Sequence, residues 1–101
     1  MKLNVMERLT LLSILPKEGN FVTLKVLRSL TSNLGLSESE LKEFDVKQND
    51  QQVTWNEKGN EEREIEIGEK ATDIIVEALK KLDDEKKLTE QHFSVYEKFV
   101  G

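Results

Sequence analysis

Between Ile67 and Leu88 the sequence IGEKATDIIVEALKKLDDEKKL fits an amphipathic helix and little else. Ala71, Ile74, Ile75, Ala78, Leu79 and Leu82 recur three and four residues apart. Glu69, Lys70, Asp73, Glu77, Lys80 and Lys81 occupy much of the other side. A helix with one apolar stripe has to bury it, so the remaining chain must provide a surface to lie against. Gly68 marks the break between this helix and what precedes it.

Upstream, Asn4 stands before VMERLTLLSIL with Glu7 three residues later, the arrangement of a capping box. Val5, Leu9 and Leu12 repeat on one face, and Met6, Leu11, Ile14 and Leu15 widen the stripe until the helix is apolar around most of its girth. That pattern predicts a central place in the core. Pro16 and the Gly19, Asn20 pair close the helix. Phe21 and Val22 lead to Thr23, read as the cap of LKVLRSLTSNL. Leu24, Leu27, Leu30 and Leu34 are its expected buried edge, with Val26 nearby, while Lys25, Arg28, Ser29 and Ser32 face outward. After Gly35, Ser37 and Glu40 form a second capping box, opening a short helix anchored by Leu36, Leu41 and Phe44.

The hydrophobic period then changes from helical spacing to alternation. Val46 and Gln48 alternate with Lys47, and Val53 and Trp55 with Thr54, while Asn49 and Asp50 signal a turn between them. In EREIEIG, Ile65 and Ile67 point one way and Glu64 and Glu66 the other. The hydrophilic segment NEKGNEE, near residues 56–63, reads as a mobile loop. Thr89 is placed to cap a last helix in which Phe93, Tyr96 and Val100 share a face and Phe99 lies beside it. The expected fold is therefore α+β: three amino-terminal helices, a small antiparallel sheet of two or three strands, a long helix and a short carboxyl-terminal helix. A length of 101 residues suits a single domain across 1–101.

Several function classes find no support in these residues. Without cysteine the chain has no disulfide, thiolate nucleophile or cysteine zinc site, which fits a cytoplasmic setting. No apolar run approaches membrane-spanning length. His92 is the sole histidine, and Ser94, two residues away, would point elsewhere on a helix. Asp83, Asp84 and Glu85 are consecutive and diverge around a helix, unlike paired catalytic carboxylates. Glu61, Glu62, Glu64, Glu66 and Glu69 lack the interleaved ligands and central glycine of a calcium loop. Gly59 and Gly68 are too isolated for a nucleotide-binding loop. No metal or other cofactor is expected.

What remains is binding. The leading expectation is a noncatalytic protein-protein interaction or assembly accessory protein, of a type suited to a bacterium or bacteriophage, that meets a protein partner or a second copy of itself. The acidic strip Glu61, Glu62, Glu64, Glu66 and Glu69 offers a surface to a basic protein, and Phe93, Tyr96 and Phe99 offer aromatic contact area.

The alternative is a winged-helix-like nucleic-acid-binding regulator. Three helices followed by a hairpin have that order, and Lys25, Arg28, Lys42 and Lys47 would then make the contacts. Charge argues against it. The net charge of −5 falls wholly in residues 57–101, and the would-be recognition helix carries Glu38, Glu40, Glu43 and Asp45 against Lys42. A DNA surface would have to gather Lys2, Arg8, Lys17, Lys25, Arg28, Lys42 and Lys47 together.

Overall fold

The structure, a computed structural model, describes residues 1–50 and 52–101. It is an α+β arrangement of five helices and two small antiparallel sheets of two strands each, consistent with a winged-helix-like layout. In chain order the elements are β1 (Lys2–Leu3), α1 (Val5–Ile14), α2 (Phe21–Leu34), α3 (Glu38–Glu43), β2 (Lys47–Asn49), β3 (Gln52–Thr54), β4 (Arg63–Glu64), α4 (Glu69–Asp84) and α5 (Glu90–Phe99). Within the segment read as a loop, Glu57–Asn60 form one turn of 3-10 helix capped by Asn56.

Local chemistry sets most helix starts. Asn4 Oδ1 accepts the Glu7 N–H at 2.8 Å, and Glu7 Oε1 accepts the Asn4 N–H at 3.0 Å. Ser37 and Glu40 repeat the exchange at the head of α3. At α2 the expected cap is corrected. Asn20, not Thr23, holds that position, its Oδ1 accepting the Thr23 N–H at 2.9 Å, so the helix begins three residues earlier, at Phe21. At α5 the Thr89 N–H donates to His92 Nδ1 at 2.9 Å, which gives the lone histidine a place in the helix cap.

The core joins Leu11 and Leu15 of α1, Leu27, Leu30 and Leu34 of α2, Ala71, Ile75 and Leu79 of α4, and Val95 of α5, with Leu3 and Ile65 from the β1–β4 pair. Three expectations about it need correcting. Leu24 is exposed, because the whole first turn of α2, including Phe21 and Val22, lies outside the packed interior. Leu41 is also exposed, while Phe44, another of the expected anchors of α3, is buried under the Arg63 guanidinium at 4.6 Å from its ring. On α5 the innermost residue is Val95, with Tyr96, Phe99 and Val100 half-buried around it.

The sheet expected after α3 is divided in two. The hairpin β2–β3 pairs Lys47 with Thr54, Gln48 with Val53 and Asn49 with Gln52, around a turn in which Asp50 takes φ 49°. The third strand, β4, does not join it. It pairs with β1, Lys2 opposite Glu64 and Leu3 opposite Arg63.

Candidate functional site

Helix α1 is enclosed on most sides, with Val5, Glu7, Arg8, Thr10 and Leu11 all buried. Its charged pair is part of that enclosure. Arg8 donates to the carbonyls of Leu34 at 3.0 Å and Gly35 at 2.7 Å and holds Glu40 through both terminal nitrogens. Those carbonyls belong to the end of α2, which has no i+4 donors left to meet them. The Arg8 hydrogen bond is the main reason the Glu40 carboxyl falls to about 2 from its usual 4.5. Burial opposes the fall, and the Ser37 N–H adds to it. Burial likewise opposes the charge on Glu7. Hydrogen bonds from the Lys98 ammonium and the Asn4 N–H outweigh it and keep Glu7 below the usual carboxylate range.

One side of α1 stays open. Met6, Leu9 and Ser13, three and four residues apart, look across a groove of about 550 Å³ toward the hairpin. Thr10 deepens the α1 wall, Gln52, Val53, Thr54 and Trp55 form the opposite one, and Gln91 of α5 closes an end. Successive side chains of a strand point to opposite faces, so four consecutive residues line one groove when the strand turns its edge toward it. Among the described residues, no further strand pairs with that edge of β3. Trp55 is fixed by close packing on Gly59, where a side chain would overlap the indole ring.

None of the nine lining residues carries a charge, in a chain that is 35% charged. Met6 and Val53 are among the chain's exposed large apolar residues, at 40% and 39%. The groove has no general acid, base or nucleophile beyond hydroxyls and amides, so its available chemistry is shape, apolar contact and hydrogen bonding. No cluster of histidine, aspartate or glutamate suited to a metal ion occurs among the described residues.

The residues singled out by sequence are dispersed. Glu62 binds the Lys98 ammonium, and Glu64 binds the amino-terminal ammonium, which holds its carboxyl below the usual range. Glu61 is exposed. Glu66 and Glu69 line a separate groove of about 430 Å³ together with Lys25 and Lys70, so acids and bases alternate there and neither sign prevails. Phe93 is 64% exposed on the outer face of α5, while Tyr96 and Phe99 are half-buried against the core. The Tyr96 hydroxyl reaches Asp83 at 3.4 Å.

The cations offered for nucleic acid are no better gathered. Arg28 is exposed on α2, Lys42 is on α3 and Lys47 lies 3.5 Å from Asp45. Arg8, counted among the cations of the first half, is buried and fully engaged. Met6, Leu9, Val53 and Trp55 are the groove residues that sequence reasoning did not assemble. The available signal was an α1 apolar around more of its girth than one core face needs. No family model, curated protein or solved structure matches the chain.

Proposed function

We propose that this chain is a noncatalytic protein-interaction module, of the kind that assists an assembly, and that it binds through the groove between α1 and β3. The observation carrying this reading is the uncovered apolar side of α1. A helix this apolar belongs in an interior, yet Met6 and Leu9 face an uncharged groove that another chain can fill. Desolvating apolar side chains is the main favourable term in protein association, and an uncharged lining removes the cost of stripping water from ions. The Glu61 to Glu69 strip supports a partner less well, since two of its five carboxylates are bound to this chain's own ammonium groups.

The test is photocrosslinking in cells of the source organism, with benzoylphenylalanine placed at Met6, at Val53 or, for comparison, at exposed Glu66. The expected outcome is a shared protein adduct from Met6 and Val53 that is absent from Glu66 and lost when Leu9 is replaced by glutamate. Adducts from Glu66 alone would move the contact surface to the acidic strip. Turnover of a small substrate that one polar substitution abolishes in the folded chain would overturn the noncatalytic reading.

A further inference from the structure

Two unfinished surfaces face each other across the groove. The apolar side of α1 lacks cover, and among the described residues the edge of β3 has no neighbouring strand. The hairpin is itself poorly supported, since every described residue of β2 and β3 is exposed and an isolated two-stranded hairpin is marginal in water. A docked helix would bury Met6 and Leu9 but leave the strand-edge amides and carbonyls without partners, and a polar group that is buried unpaired costs stability. An extended segment satisfies both walls at once. Its backbone pairs with β3 at the ordinary strand spacing of about 4.8 Å, and its alternate side chains turn toward α1.

We infer that the groove takes an extended, uncharged segment of a partner protein, which adds to β3 as a third strand and seats alternate apolar side chains against Met6, Leu9 and Trp55. The inference rests on the protein-binding reading above and specifies its occupant. Electrostatic complementarity sets the composition. No lining residue offers a counterion, so a charged side chain entering the groove would lose its water and gain no partner. Three residues of β3 span about 10 Å, so the paired part of the segment is about three to five residues long. Charges that keep such a segment soluble fall outside that stretch.

The test starts from a displayed library of random dodecapeptides selected against the intact chain, with the selected peptides then synthesised. Trp55, the only tryptophan, reports occupancy by its fluorescence, and amide exchange at Val53, whose N–H points away from β2, reports strand pairing. The expected winners carry an uncharged alternating stretch, shift Trp55 emission and slow exchange in β3. N-methylation of the peptide amides facing β3 should weaken binding about tenfold or more, while methylation of the opposite amides changes it less than about twofold. Met6→Glu should weaken binding about tenfold or more with helix content retained. Ser13→Glu provides a second such variant should Met6→Glu unfold.

Winners that bind at Trp55 as helices, place charges in the groove or ignore N-methylation would overturn the strand inference and leave the protein-binding reading standing. If no peptide perturbs Trp55 and the crosslinking also fails, both fall. Concentration-dependent protection of β3 without peptide would assign the edge to a second copy and overturn the inference.

Discussion

Arg8 and Glu40 show how a charged pair is kept inside a small protein. The guanidinium caps the open carbonyls of Leu34 and Gly35 while gripping the carboxylate, so each of its three nitrogens has a partner. The folded Glu40 titrates near 2 and its unfolded counterpart near 4.5. The stability it contributes is therefore complete above about pH 4.5 and is lost as pH falls toward 2. Glu7 acts in the same direction. Replacing Glu40 with glutamine should lower stability at pH 7 by about 1–3 kcal/mol, with the mutant and native curves converging toward pH 2. Urea unfolding across that range checks it. Arg8→Ala should cost about 3–5 kcal/mol, because it leaves a half-buried carboxylate and two carbonyls unpaired. At Gly59 a methyl group would overlap the Trp55 indole, so Gly59→Ala should shift the emission of the sole tryptophan and cost about 1–3 kcal/mol.

The helices were the most legible elements, because their instructions are local. Asn4 with Glu7 and Ser37 with Glu40 are each written within four residues, and both boxes form as read. Helix α4 follows its stripe, with Ala71, Ile75 and Leu79 buried, so Ile75→Ala or Leu79→Ala should remove about 2–5 kcal/mol in thermal or urea unfolding. The pairing of β1 with β4 was not legible. Two residues, at positions 2 and 3, hold no alternation, and their partners lie sixty or more positions downstream. The start of α2 differs from its expected place for another reason. Threonine and asparagine both cap helices, and only the fold decides that Phe21 and Val22 join the first turn. The groove was legible only as an excess: Met6 and Leu9 make α1 more apolar than its neighbours can cover, and no residue announces the hairpin edge opposite them.

Across the whole molecule, charge is mixed. Lys25 lies among Glu66, Glu69 and Lys70, Lys47 lies by Asp45, and Arg8 is unavailable. The short α3 that would enter a DNA groove turns Glu40 inward and binds Arg63 through Glu43. Affinity for random duplex DNA at about 0.15 M salt should therefore be weaker than about 1 µM, measured by fluorescence anisotropy across a salt titration. Submicromolar binding with a steep salt dependence would refute this.

Lys98 spans the molecule in another sense, since its ammonium reaches the Lys2 carbonyl, Glu62 and the buried Glu7, ninety-one positions back. The first helix therefore needs a counterion that the last helix brings. Until α5 docks, Glu7 must either stay in water or shed its charge, so a nascent chain cannot bury that carboxylate in its charged form early. Opening should obey the same rule in reverse: α1 and α5 come apart together, and native-state hydrogen exchange should return one common free energy for their slowest amides.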